Sequence, residues 1–585
     1  MPRLLVVLSI LLLTIVACST EQGTHEADIG AGDVEDVSVD EDSGEPDTHG
    51  EPDDADARGE TDDAETDDAD SGPDEELEFG CDCGSTDPDN PCLGDNALYE
   101  RDGHQIEFIF NCDGEACHCG QFADGWSYWV APPSPEGQVT ITEMLPETID
   151  PDSDSLRHGA EMDPSTRRGQ GFTSMVPDGV NRMESLDLDR TVLPPFSLEP
   201  SGIGRASTII KAIDHESRCT NSDRQCLEYV ETLTVVEEPP GDVFRPPYFG
   251  TEKPLHYAVA DLDLSVLPEL PPLADTISWD DALDRLQSLH LEHSRRSFQQ
   301  GMTAAVNHQV RRGYDQYPNR EKNRALLKLV DAAEGEDAQK KEQLARYVVQ
   351  HGIDLFYIHN KPLNAGICGA WEAAGGFNGG NFAPIIVAAT LMGRDDWLET
   401  VNENLSTRDG QQCFAETGFI QANPEERGKG IPTFGHLNTS IYPHIGDCDR
   451  SNRNCASVGG SNSADYDLYD GLADGDPLSN TGSPTAYQSC CTHGVWLGAA
   501  LTLWLIPEVR ANVPENASHF LEYMERARAL GIEHGQDFGS YSNPENDDVT
   551  PFDSGYSHSH FYDMWNEYKA CSDDQSCEGM SDGGD

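Results

Sequence analysis

Apolar residues recur along this chain with two different periods. Between residues 98 and 238 they come in short alternating or β-branched runs separated by turns: His104–Phe110, Gly137–Thr142, Ala206–Ala212 and Tyr229–Val236. Runs of this length with no helical pattern between them predict strands of a β-sandwich. Pro239-Pro240 and Pro246-Pro247 punctuate the end of this region, and Leu267–Pro272 forms a second proline-rich joint. From residue 276 the period changes. Ser278 is a candidate N-cap for a helix carrying Leu283, Leu286, Leu289 and His290 at three- and four-residue spacing. Ala325–Ala333 and Lys340–Ile358 read the same way. Phe382–Met392 and Val495–Ile506 are apolar on nearly every face, which predicts helices buried on all sides. Glu515–Leu530 is amphipathic again. Buried and half-exposed helices joined by long Gly- and Asn-rich loops suggest concentric layers. The expected architecture is thus multidomain, β followed by α: an N-terminal β-sandwich over 98–245, a joint over 246–275, an (α/α) toroid over 276–540 and a tail over 541–585.

The first eighty residues belong to neither pattern. Met1 and Arg3 precede the apolar run Leu4–Val16, broken only by Ser9 and Thr14, too short to span a bilayer as a permanent helix. It ends at Ile15-Val16-Ala17-Cys18, which resembles a bacterial lipobox and makes residues 1–18 a lipoprotein signal with Cys18 the lipidation site. Several acyl chains on one residue supply stable membrane anchoring. Ser19 after the cysteine points to the outer membrane, on its periplasmic or cell-surface face. Residues 19–80 carry 26 Asp and Glu against the single Arg58, with almost no large apolar side chains. Such a segment cannot bury enough surface to offset chain entropy, and reads as a disordered acidic tether.

Charge then narrows the partners. The chain's formal net charge is −70, and about −46 of it falls on residues 81–585. A surface that acidic excludes nucleic acid as a partner and disfavours anionic head groups. Of seventeen cysteines, sixteen remain after Cys18. Close pairs in polar loops (Cys219/Cys226, Cys448/Cys455, Cys571/Cys577) and a cluster from Cys81 to Cys119, opening in a Cys-rich segment over 81–97, favour disulfides in an oxidising compartment over metal. Their connectivity is not deducible from spacing.

Several stretches, in order, resemble a family of bacterial lipoproteins that pair an N-terminal β-sandwich with a C-terminal (α/α) toroid, distantly similar to heparinase II/III and alginate-lyase type polysaccharide lyases. They are Gly120–Gly125 with Trp129, Phe244–Gly250, Val349–Leu355, Trp371 with Gly375-Gly376, Tyr487–His493 and Phe520–Arg526. Where that family has a His and an Arg-Lys pair after the paired glycines, this chain has Phe377 and Asn381-Phe382. The resemblance implies a polysaccharide substrate class.

A lyase acting beside a uronate carboxylate needs a base such as Tyr or His, a proton donor to the leaving oxygen, and a carboxylate neutraliser. The densest cluster of such groups is His436, Asn438, Tyr442 and His444 within nine residues of a Gly/Pro-bounded loop. His493 precedes the apolar helix, whose positive end disfavours an imidazolium and keeps the ring neutral. His436, Tyr442, His444 and His493 are the catalytic candidates; Asn438, Trp371 and Tyr487 are substrate-binding candidates, and Trp496, Trp504 and Trp565 are further sugar platforms unless the first two are core. Tyr556, His558, His560 and Tyr562 form a third polar group. No cofactor is required by this chemistry and no residue is assigned to a metal. Asp465, Asp467, Asp470, Asp474 and Asp476 concentrate oxygen ligands that suit Ca²⁺, without EF-hand spacing. Two readings follow: a lyase-type enzyme, or a non-catalytic carbohydrate-binding or structural surface lipoprotein.

Overall fold

Among the described residues, ten strands come first and the helices follow. The computed structural model describes residues 93–134, 136–149, 157–165, 191–198, 206–214, 227–272, 277–293, 316–360, 380–403, 414, 494–514, 517–525 and 565. All of them belong to one compact unit, Glu75–Asp585.

The strands are β1 (Leu93–Gly94), β2 (Asn96–Arg101), β3 (His104–Cys112), β4 (Cys117–Gln121), β5 (Tyr128–Ala131), β6 (Val139–Leu145), β7 (Ala160–Met162), β8 (Phe196–Leu198), β9 (Ala206–Asp214) and β10 (Leu227–Val236). They build two sheets, one ordered β1-β4-β5-β10-β9-β7 and one ordered β2-β3-β6-β8. Neighbours are antiparallel except β5 and β10, which run parallel. In β3 the buried residues Ile106, Phe108, Phe110 and Cys112 alternate with Glu107, Ile109 and Asn111, so one face of the four-stranded sheet is wet. The dry face meets Tyr128, Ile209, Tyr229 and Leu233 of the six-stranded sheet in a shared core. A disulfide between Cys112 and Cys117 closes the β3–β4 turn, where Asp113 and Gly114 both take positive φ. Closing so short a loop removes about 2 kcal/mol of unfolded-chain entropy on the chain-entropy model.

Strand β10 is buried at all ten positions. Tyr229, Leu233 and Val235 face the other sheet, whereas Leu227 and Val230 join the core of the helical half. A strand covered on both sides loses the alternating pattern and becomes a continuous apolar and Thr-rich run.

The helices are α1 (Trp279–Leu286), α2 (Gln316–Lys328), α3 (Glu336–Asn360), α4 (Phe382–Leu391), α5 (Asp395–Glu403), α6 (Gly494–Leu505) and α7 (Pro507–Asn512), with residues 517–525 helical after them. Ser278 caps α1: its Oγ accepts from Asp281 N at 3.0 Å and donates to the Asp281 carboxylate at 2.8 Å. The helix stops at Leu286, short of the expected Leu289 and His290. There Arg101 of β2 donates to Ser288 Oγ and to the Asp284 carbonyl, and His290 Nε2 donates to Arg285 O at 3.0 Å. Side chains thus take carbonyls that another helical turn would have used, and Leu289 and His290 stay buried outside the helix. The expected helix over Ala325–Ala333 is likewise displaced: α2 begins earlier and ends at Lys328. In α4 every residue but Thr390 is buried, as its sequence predicts. Among the described residues no helix is long and apolar enough to cross a membrane.

Candidate functional site

Three of the sequence stretches that carry the resemblance meet in space. In Gly120–Gly125, Asp124 Oδ1 accepts from the backbone N–H of Trp126 at 3.0 Å and of Ser127 at 2.9 Å, which folds residues 122–127 into a tight turn. Backbone bonds run from Ala123 N to Val243 O and from Phe244 N to Tyr257 O and lay the strap Phe244–Gly250 beside that turn. Helix α3 then supplies Val349–Leu355. Its Asp354 accepts from Arg245 Nη2 at 2.5 Å and from Tyr248 N at 3.1 Å. Gln350 Nε2 donates to Arg245 O at 3.1 Å, and Arg245 Nε to Ser127 Oγ at 3.2 Å. From the same helix Gln343 Nε2 donates to Asp124 O and Arg346 Nη1 to Ala123 O. Asp124, Arg245 and Asp354 are all buried, and charges so placed persist only when paired and hydrogen-bonded.

Beside this knot a cleft opens, walled by Ser127, Arg245, the segment Leu286–His290, and Tyr347, Gln350 and His351 of α3. Its cavity volume is about 20 Å³, enough for about one water. The His290 and His351 rings pack against each other in its wall, tilted by 57° with centroids 5.0 Å apart, at 3% and 5% exposure. A backbone carbonyl can only accept, so the His290 bond to Arg285 O puts the proton on Nε2; a neutral ring then carries its lone pair on Nδ1. Burial pushes the Tyr347 phenol above its ordinary range, with Asp124 adding to the effect, and it stays protonated. Burial also raises the Asp124 and Asp354 carboxyls; Ser127 and Arg245 oppose this at Asp124, and Arg245 and Tyr248 N–H at Asp354. The cleft thus gathers two imidazoles, a phenol, an amide and a guanidinium already bound to a carboxylate.

A second buried chain lies close by in sequence. Tyr248 Oη accepts from Glu292 N at 2.9 Å and shares a hydrogen bond with His293 Nδ1 at 3.0 Å. Burial lowers His293 to about 3, which keeps it neutral. Lys322 of α2 pairs with Glu292 at 2.6 Å.

Comparison with protein-family models, curated proteins and solved structures finds no match to this chain. Function has to be read from the residues.

The catalytic candidates His436, Tyr442, His444 and His493 lie outside the described residues, as do Asn438, Trp371, Tyr487, Cys18, the Asp465–Asp476 loop and the Tyr556–Tyr562 group. Helix α6 begins at Gly494, one residue after His493. Trp496 and Trp565 are fully buried, so neither is an exposed sugar platform. Trp504 is half-buried and covered by the Arg510 guanidinium, 3.6 Å from its ring. Among the described residues no group of three or more His, Cys, Asp or Glu is placed to hold a metal. The cleft residues Arg245, Gln350, His351 and Asp354 carried no role in the sequence reading, although each sits inside a stretch singled out there. One signal did mark them: charged and polar residues set among apolar neighbours in Phe244–Gly250 and Val349–Leu355, where burial demands a distant partner.

Proposed function

We propose that this chain is an exported lipoprotein, anchored through Cys18 in the outer membrane, that cleaves polysaccharide by β-elimination. The two-sheet half is the β-sandwich of this reading and the helical half is its (α/α) toroid. One observation carries the catalytic part: the His290 and His351 rings pack together, centroids 5.0 Å apart, in a cleft shared with Tyr347 and Gln350. These are the residue types that abstract a proton beside a carboxylate, hold that carboxylate and protonate a leaving oxygen. The lone pair on His290 Nδ1 suits the base; Tyr347, kept protonated by burial, suits the donor. In this reading His436, Asn438, Tyr442, His444, Tyr487, His493 and Trp371 complete the substrate path, and Ca²⁺ at Asp465–Asp476 is a structural ion.

The test is a panel of uronate-containing and neutral glycans, followed by ultraviolet absorbance of the unsaturated product, with reducing ends measured in parallel. The expected result is absorbance with wild-type protein and its loss in His290→Ala and His351→Ala. Reducing ends without absorbance would assign hydrolysis, which needs two carboxyl groups across the bond. Activity retained in both variants would remove the cleft from the chemistry.

The cleft's small volume favours a second reading. Room for about one water is far less than a sugar ring needs, and Arg245 is already committed to Asp354. A non-catalytic carbohydrate-binding or structural lipoprotein would bind glycan without turnover, and both histidine variants would then leave binding intact.

A further inference from the structure

The strap Phe244–Gly250 is buried along its whole length, and side chains hold most of its backbone. Pro246 and Pro247 have no N–H to place in a ladder, while their buried carbonyls still need donors. Each carbonyl from Arg245 to Tyr248 receives one from a side chain. Gln350 Nε2 donates to Arg245 O at 3.1 Å, and Arg245 Nη1 to Pro246 O at 3.0 Å. Lys253 Nζ takes the next two, Pro247 O at 2.7 Å and Tyr248 O at 2.9 Å.

The third acceptor around that ammonium is Asp163 Oδ1, 3.0 Å away, just beyond β7. Three N–H groups thus meet three oxygens, at 5% exposure of the lysine. Asp163 is itself fixed to β9: its Oδ1 accepts from Thr208 N and its N–H donates to Thr208 O, both at 2.8 Å. Gly250 N donates to Pro164 O at 2.7 Å and ties the end of the strap to the same place. Lys253 is therefore the bridge between the six-stranded sheet and the middle of the strap.

What the strap carries gives this bridge its consequence. Arg245 lies in the cleft wall. Tyr248 Oη meets His293 Nδ1 at 3.0 Å, and the Phe249 ring stacks on the same imidazole with centroids 5.2 Å apart. Without the ammonium, two consecutive buried carbonyls and a carboxylate lose a donor together, and the backbone has to turn toward others, taking Tyr248 and Phe249 with it. We propose that Lys253 is a positioning residue of the cleft, setting the path of the strap and through it the places of Arg245 and of the rings around His293. Its bearing on turnover rests on the catalytic reading of the cleft; the placement of the rings does not, so the two can fail separately.

The test is nuclear magnetic resonance of the full mature chain with nitrogen-labelled histidine, wild type against Lys253→Met, well below the melting temperature of either. The ring-nitrogen signals of His293 and His351 should shift, whereas that of His104 on β3 should stay in place. A lysine that only adds stability would lower the melting temperature and leave all three signals unmoved in the folded variant, which overturns the proposal, as does a shift at His104 as large as at His293. Should Lys253→Met fail to fold, Lys253→Arg decides. It keeps the charge and the donors but spreads them over a planar fork that does not fit between three converging oxygens. The His293 signal should shift there too, and an unmoved signal overturns the proposal.

Discussion

Gly352 lies inside α3, where a glycine ordinarily costs helix stability relative to alanine by about 0.5–1 kcal/mol. The sign reverses here, because α4 crosses at this point. A Cβ on residue 352 would overlap the Ala388 Cβ and stand 3.0 Å from Pro384 O. Both obstacles belong to a helix packed on nearly all its surface and have nowhere to go. Gly352→Ala should therefore destabilise by about 1–3 kcal/mol, read as a lower urea midpoint at unchanged slope. A gain in stability would show that the α3–α4 approach is looser than described. His293 carries a pH-dependent term at the same scale. Its folded value of about 3 lies below the ordinary 6.5, so the unfolded chain binds the proton first. Its contribution is complete above about pH 6.5 and is lost as pH falls toward 3, with a slope of at most about 1.4 kcal/mol per pH unit. Stability measured across that window should flatten by up to this slope in His293→Gln. An unchanged acid limb would mean that the ring is not held neutral by burial.

At the scale of elements, the strap and α3 are joined by one buried ion pair, Arg245–Asp354, with side chains 2% and 5% exposed. Removing either partner alone strands a charge in the interior, so Arg245→Met or Asp354→Leu should each cost about 3–5 kcal/mol. The double variant should cost less than the sum, because an apolar pair needs no counter-charge; strictly additive losses in urea denaturation would refute the coupling. This pair also shows what the sequence could and could not tell. Strands β3, β6, β9 and β10 and helices α3, α4 and α6 were readable because burial on one face or on all faces writes a period or an unbroken apolar run into adjacent residues. Helix α2 was misplaced because Lys322, Asn323 and Arg324 are buried in spite of their polarity. The partner of Lys322 is Glu292, thirty residues away, and no local pattern announces a contact of that separation. The end of α1 was missed for the same reason: Arg101, 187 residues from Ser288, takes hold there. The cleft followed suit, since each wall comes from a different part of the chain. What the sequence did carry was the order of the stretches that build it.

For the whole molecule, the change of pattern near residue 240 suggests two bodies, yet the core does not divide there. Ile210, Ala212, Leu227 and Val230 of the six-stranded sheet belong to the same apolar cluster as Leu286, Leu344 and Val348 of the helices. Arg101, Arg245, Arg346 and Gln343 cross the same boundary with hydrogen bonds. A fragment of residues 81–275 would keep its inter-sheet core but leave the outer face of β9 and β10 in water, along with Arg245 and Asp124 deprived of their α3 partners. Apolar area is worth about 25 cal/mol per Å² on burial, so a bare sheet face of several residues amounts to a large share of a domain's marginal stability. The fragment should therefore bind a hydrophobic dye and melt over a broad range. The intact chain should lose its aromatic near-ultraviolet signal and its far-ultraviolet signal in one coincident step. Two separate steps in the intact chain, or a sharp melt without dye binding in the fragment, would show that the sheets fold independently and that the arginine contacts merely dock one finished body against another.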